Sequence, residues 1–196
     1  MSQPSEASRS NLFHPAPEYN EEERKLLLHL AHESIVCFLE RRPISLPSFS
    51  SHLSEPRGVF TTIYANGTLR GCVGYPAPIL PLYRAVTETA RAAASEDPRF
   101  HPVGLEEARK LQISLSVLSP LKPLAAEEVE VGRHGLVISQ RGQRGLLLPQ
   151  VPVEHGWDKV TFLEQTCLKA GLPPNAWRTG AKIEGFTAEV FGDPEI

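Results

Sequence analysis

The sequence is poor in cysteine. Its 196 residues include only Cys37, Cys72 and Cys167, with no Cys-x-x-Cys pair among them. An odd, sparse set of thiols argues against a disulfide-stapled scaffold or a structural zinc site and fits a reducing compartment. Nowhere do about 18 apolar residues run together, so no membrane-spanning helix is expected. The opening Met1-Ser2-Gln3-Pro4-Ser5-Glu6 lacks the basic and apolar order of a secretory signal, so the expected location is cytoplasmic. Lysine and arginine form no block, and the formal net charge is −3. That leaves no electrostatic footprint for nucleic acid or an anionic membrane, and it favours a small molecule or peptide as partner. GxGxxG ahead of a helix and GxxxxGK[ST] are both missing, so no nucleotide cofactor is expected. His29, His32 and Glu33 fall within one helical turn, but no other segment offers a matching ligand. They read as a solvated face, and no metal is expected.

What is present is an ordinary globular composition in a chain long enough to bury a real core. Residues 1–17 read as a flexible tail, and residues 18–196 as a single domain of two intimately packed lobes. Asn20 and Glu23 form a capping-box pattern ahead of Leu28, Ala31, Ile35 and Leu39 at helical spacing. Val59 to Val73 reads as a hairpin turning at Asn66-Gly67. A helix is expected from Leu82 to Ala93, and a half-buried strand from the clean alternation of Leu111 to Val117. Gly135–Ile138 and Gly145–Leu148 read as a second hairpin around the turn-like residues 140–144. Asp158 caps a helix that Gly171 stops, with Val160, Leu163 and Cys167 on its inner face. Ile183 to Phe191 reads as one closing strand whose apolar phase slips near Gly185. The fold class expected is α+β, with a mostly antiparallel sheet flanked by helices.

The densest chemistry lies in Leu69-Arg70-Gly71-Cys72-Val73-Gly74. Strand alternation places Leu69 and Val73 toward the core and Arg70 beside Cys72 on the other face. Arg70 would then stabilise a Cys72 thiolate, while Gly71 and Gly74 leave room for a ligand or another backbone. A thiol nucleophile needs a base, and His134, just before a strand, is the histidine chosen here over His101 and His155. Glu96 and Arg99 flank the helix stop at Pro98, where Arg99 suits an anionic ligand. Gln150 places an amide at a strand end.

These residues resemble the AMMECR domain family, named for an AMME-syndrome chromosomal-region protein and called AmmeMemoRadiSam system protein A in prokaryotes. The resemblance rests on Leu69–Gly74, Glu96-Asp97-Pro98-Arg99-Phe100, His134-Gly135-Leu136 and Gly145–Gln150. It continues through Trp157, Phe162-Leu163, Cys167, Lys169–Leu172 and Trp177, spanning roughly residues 21–192 in order. It implies a larger sheet-bearing lobe and a smaller one, with the hallmark near the cleft between them. It also implies a modification pathway shared with Memo-like and radical-SAM proteins. Val73 stands where isoleucine is common, and Tyr75 where a small hydroxyl residue is usual. Two function classes follow: a component that binds a small ligand or peptide in the cleft, and a cysteine-dependent transferase or hydrolase with Cys72 as nucleophile.

Overall fold

The computed structural model describes residues 17–194, so the tail expected over residues 1–17 lies outside it except for Pro17. Asn20 and Glu23 cap each other's backbone N–H groups and open α1 (Glu21–Leu39). Arg41, at a left-handed φ of 55°, ends that helix. The first hairpin forms as read: β1 (Val59–Ala65) and β2 (Thr68–Tyr75) join through Asn66 at φ 51° and Gly67 at φ 73°, the two positive angles of a tight hairpin turn. Then come α2 (Leu82–Ser95), the short α3 (Leu105–Ala108), β3 (Gln112–Leu118) and β4 (Lys122–Pro123). The second hairpin, β5 (Gly135–Gln140) and β6 (Gln143–Leu147), turns on Arg141 and Gly142 alone, tighter than the five turn-like residues suggest. Short α4 (Gln150–Glu154) precedes α5 (Lys159–Lys169), which Asp158 caps by accepting from the Thr161 N–H at 2.8 Å.

The closing segment is not one strand. It is β7 (Lys182–Phe186) and β8 (Ala188–Gly192), broken at Thr187, and the two belong to different sheets. The larger sheet runs β2-β1-β3-β8 and the smaller β4-β7-β5-β6, all antiparallel. What reads in sequence as a slipped phase is a strand leaving one sheet for the other. The fold is therefore α+β.

One face of the larger sheet packs under α1 and α2, where Val59, Ile63, Ile113, Leu115 and Val117 meet Val86, Ala90 and Ile35 in one core. In the smaller sheet Leu136 and Ile138 pack on Phe162, Leu163 and Cys167 of α5. Val137, on the opposite face, joins Phe186 and Leu118 in a third cluster that Phe60, Leu146 and Leu148 extend, and this apolar patch joins the two sheets. Val160 is 39% exposed; the buried face of α5 is instead Phe162, Leu163, Thr166 and Cys167.

Leu69 also departs from expectation. Ile63 pairs with Gly71 but Tyr64 with Leu69, so Arg70 is an extra residue in β2, a β-bulge. The bulge turns Leu69 to the face of Tyr64 and Cys72, where it is 38% exposed, while Val73 keeps its place against the core. No helix among the described residues is long and apolar enough to cross a membrane.

Two predictions follow from this packing. A Cβ on Gly71 would sit 2.2 Å from the Ala93 carbonyl oxygen of α2, whereas one on Gly104 would meet nothing within 4 Å. Gly71→Ala should cost about 2 kcal/mol by overpacking, and Gly104→Ala less than about 0.5 kcal/mol, read as shifts in urea midpoint. Equal effects would contradict the packing. Separately, His52 Nδ1 lies 2.9 Å from Glu23 Oε1, and that hydrogen bond raises the histidine pKa. The stabilisation is complete below the unfolded value near 6.5 and is lost as pH rises through the higher folded value. His52→Gln should therefore destabilise the protein more at pH 5.5 than at pH 9; a difference independent of pH would refute the assignment.

Candidate functional site

Strand pairing sets Cys72 opposite Thr62, and Thr62 opposite Ser114, in one row across the face of the larger sheet turned away from α1 and α2. The Thr62 hydroxyl lies 3.3 Å from Cys72 Sγ and donates to it. Cys72 is half-buried, whereas Cys37 and Cys167 are buried and burial pushes both their thiols up; all three are free.

The group that organises this corner is Asp97. Asp97 precedes Pro98, a context that disfavours further helix, and it follows directly on the end of α2. Its carboxylate is buried, with the side chain 3% exposed. It accepts the Cys72 N–H at 2.8 Å, the Arg99 N–H at 3.1 Å, and Arg99 Nε and Nη2 at 3.0 and 2.7 Å. These donors hold the Asp97 carboxyl well below the usual carboxylate range, the Arg99 side chain foremost. Arg99 is raised in turn, chiefly by its hydrogen bond to Asp97, with a smaller charge interaction from Cys72. Arg99 and Cys72 thus share Asp97 through their backbone N–H groups, and the Arg99 side chain is 56% exposed.

Arg70 has another partner. Its Nε and Nη2 donate to the two carboxylate oxygens of Glu107 in α3 at 2.6 and 3.2 Å. Both guanidiniums lie over the ring of Phe100, at 5.9 Å for Arg70 and 5.4 Å for Arg99. The room beside the two glycines is filled from within the protein. The Ala93 carbonyl occupies it at Gly71, and the Phe60 ring would lie 2.3 Å from a Cβ at Gly74.

The remaining candidates lie apart from this corner. Glu96 is exposed, and among the described residues its ion pair is a loose one with Arg91, at 3.9 Å. His134 precedes β5 in the smaller sheet, where its Nδ1 accepts the Glu130 N–H at 3.1 Å and burial lowers its pKa. Among the described residues no hydrogen bond or ion pair joins His134 to Cys72. Gln150 opens α4 and lines a separate groove of about 290 Å³ with Val153 and Val190. No cluster of three or more potential metal-binding side chains occurs among the described residues. Thr62, Glu107 and the anchoring role of Asp97 escape the sequence reading, because each acts across a strand pair or between elements distant in sequence.

Comparison with known proteins places this geometry. The AMMECR1 family model matches residues 28–191. The chain is 44% identical over 186 residues to protein MK0488 of Methanopyrus kandleri, covering 89% of this chain and 90% of that one. It is 41% identical over 179 residues to a protein of Aquifex aeolicus, covering 86% and 92%. The crystal structure of the uncharacterized protein PH0010 from Pyrococcus horikoshii aligns with a TM-score of 0.75 at 41% identity, over 89% of this chain and 93% of that one.

The Asp97 cluster generates a prediction with a definite sign. Asp97→Asn removes a buried anion with four donors on it and should cost about 2–3 kcal/mol at pH 7. Because the folded pKa is depressed, the stabilisation is complete above the unfolded value near 3.9 and is lost as pH falls through the folded one. The stability gap between wild type and Asp97→Asn should therefore shrink below about pH 4. Denaturant titrations at pH 7, 4.5 and 3 that show a constant gap would rule this out.

Proposed function

The chain belongs to the AMMECR1 family, and from that premise we propose that it is a binding component that receives an anionic small molecule or peptide beside Cys72. In this reading it serves a modification pathway alongside Memo-like and radical-SAM proteins, as its family resemblance implies. One observation supports this above the others. Asp97 is enclosed and saturated by donors, while its partner Arg99 stands half in water next to Cys72. An approaching ligand meets the cation, with the balancing anion shielded behind it. Thr62 and Ser114 add hydroxyls on the same sheet face. These are recognition groups, and a working nucleophile would also want a base and a group to orient it.

A second reading keeps Cys72 as the nucleophile of a transferase or hydrolase. The Thr62 hydroxyl donating to the sulfur favours it, since that contact fixes where the sulfur points. His134 does not supply the base through any contact described above.

The probes are iodoacetate and iodoacetamide, alkylating reagents that differ in charge. Cys72 should react in the folded protein before Cys37 and Cys167. Its iodoacetate-to-iodoacetamide rate ratio should fall about fivefold in Arg99→Ala, the effect of ~1 kcal/mol of solvent-screened attraction. Arg70→Ala should leave the ratio nearly unchanged. A ratio insensitive to Arg99, or a Cys72 that reacts only on unfolding, would overturn the anion-binding reading. Native mass spectrometry separates the two classes. A non-covalent adduct that persists in Cys72→Ser supports binding, and a covalent adduct confined to Cys72 supports the enzyme.

A further inference from the structure

The sheet face that carries Cys72 leads to the apolar groove. Next to the row Cys72–Thr62–Ser114 lies the row Gly74–Phe60–Ser116–Val190, two residues further along each strand. Val190 is exposed, and with Ala188 it gives β8's contribution to the groove of about 290 Å³. Pro149, Gln150 and Val153 supply the contribution of α4 and the residue before it. The groove is thus where a helix of the smaller lobe meets the Cys72 face of the larger sheet. Its volume is at the lower edge of small-molecule pockets, about 300–1,000 Å³, which suits a side chain better than a whole metabolite.

Strand register gives the distance between the two features. Cys72 and Val190 are three strand spacings of about 4.8 Å apart across the sheet and two residues, about 7 Å, apart along it, or roughly 16 Å in all. An extended chain rises about 3.3 Å per residue, so it covers that span in about five residues. The ground between is polar. Thr62, Ser114 and Ser116 are half-buried there, and among the described residues the Ser114 and Ser116 hydroxyls have no hydrogen-bond partner. Such hydroxyls match a ligand with an N–H and a C=O at every step, as a peptide backbone has. The ends differ in chemistry: the exposed Arg99 guanidinium beside Cys72, and the exposed Val153 and Val190 side chains in the groove.

We propose that the ligand of this face is an extended peptide, with a carboxylate side chain on Arg99 and an aliphatic side chain four to six positions away in the Val153–Val190 groove. The proposal rests on the anion-binding reading of Arg99 and narrows its ligand to a peptide. It also gives Gln150 a place, as a polar group at the apolar end of the track.

The test is selection of a random dodecapeptide library by mRNA display against the full chain. Enriched peptides should carry an acidic and an aliphatic residue four to six positions apart, and should slow iodoacetamide alkylation of Cys72 at least fivefold. Val190→Gln and Val153→Gln should each weaken them about fivefold, the effect of one partly buried aliphatic contact. Both positions are exposed and lie on different elements, so a folding defect in one variant leaves the other to decide. Peptides whose binding ignores both valines, or none that protect Cys72, would overturn the peptide proposal. If the iodoacetate-to-iodoacetamide ratio then still depends on Arg99, the anion-binding reading survives without it. If Arg99→Ala changes neither that ratio nor peptide affinity, both fall.

Discussion

The architecture depends on one crossing. Ser119 and Thr187 exchange hydrogen bonds at 2.9 Å, Ser119 N–H to the Thr187 carbonyl and Thr187 N–H to the Ser119 hydroxyl, where two antiparallel segments leave one sheet for the other. Pairing continues on both sides, from Leu118 with Ala188 in the larger sheet to Lys122 with Gly185 in the smaller. Between those pairs Pro120 and Leu121 lie opposite the single Phe186, so the corner carries one extra residue. Strands that switch sheets turn by bulges. The same bulge sends Phe186 into the apolar cluster with Val137 and Leu118. Two small cores that would be marginal alone are thereby joined by a hydrogen-bonded ladder and a shared apolar patch.

Local signals were legible where one residue type determines the backbone. Asn66-Gly67 and Arg141-Gly142 sit at the positive φ angles that hairpin turns demand, and Asn20 with Glu23 closes the capping box. The clean alternation of Leu111 to Val117 records a sheet buried on one side only, with Ser114 and Ser116 on the other. Non-local features were not legible. Whether Ile183 to Phe191 is one strand or two depends on which partner lies beside each half, and a phase slip fits either. The Arg70 bulge is likewise a property of the pair, because nothing in Leu69-Arg70-Gly71 shows that Tyr64 will meet Leu69.

The site was half legible for the same reason. Cys72 and the acidic-basic run after α2 could be singled out as chemistry-bearing, but their connection is a side chain spanning 25 residues of sequence to a backbone N–H. Strand alternation paired Arg70 with Cys72 on the assumption of a regular strand. Once the bulge is present, Arg70 turns to Glu107 and the neighbouring cation becomes Arg99. The glycines of the hallmark have a packing reason as well. Gly71 admits the end of α2 and Gly74 admits Phe60, so both fix β2 against its neighbours. A thiol on such a strand is held in place by its backbone, with Asp97 on one side and β1 on the other.

Burial decides which of the two ion pairs around Phe100 projects a charge. In the Arg70–Glu107 pair the guanidinium is 18% exposed and the carboxylate 36%, so water reaches the anion more readily. In the Asp97–Arg99 pair the order is reversed, 3% for the carboxylate and 56% for the guanidinium. Both pairs are formally neutral, yet the field felt by a ligand is weighted toward the member nearer solvent, because the enclosed partner is already matched by local dipoles. Asp97 is matched by the Cys72 and Arg99 backbone N–H groups as well as by the guanidinium, leaving Arg99 as the outward cation. Composition records two arginines and two acids and so counts the corner as neutral. Only the inverted burial of the two pairs gives it a direction, positive beside the thiol and more negative toward α3.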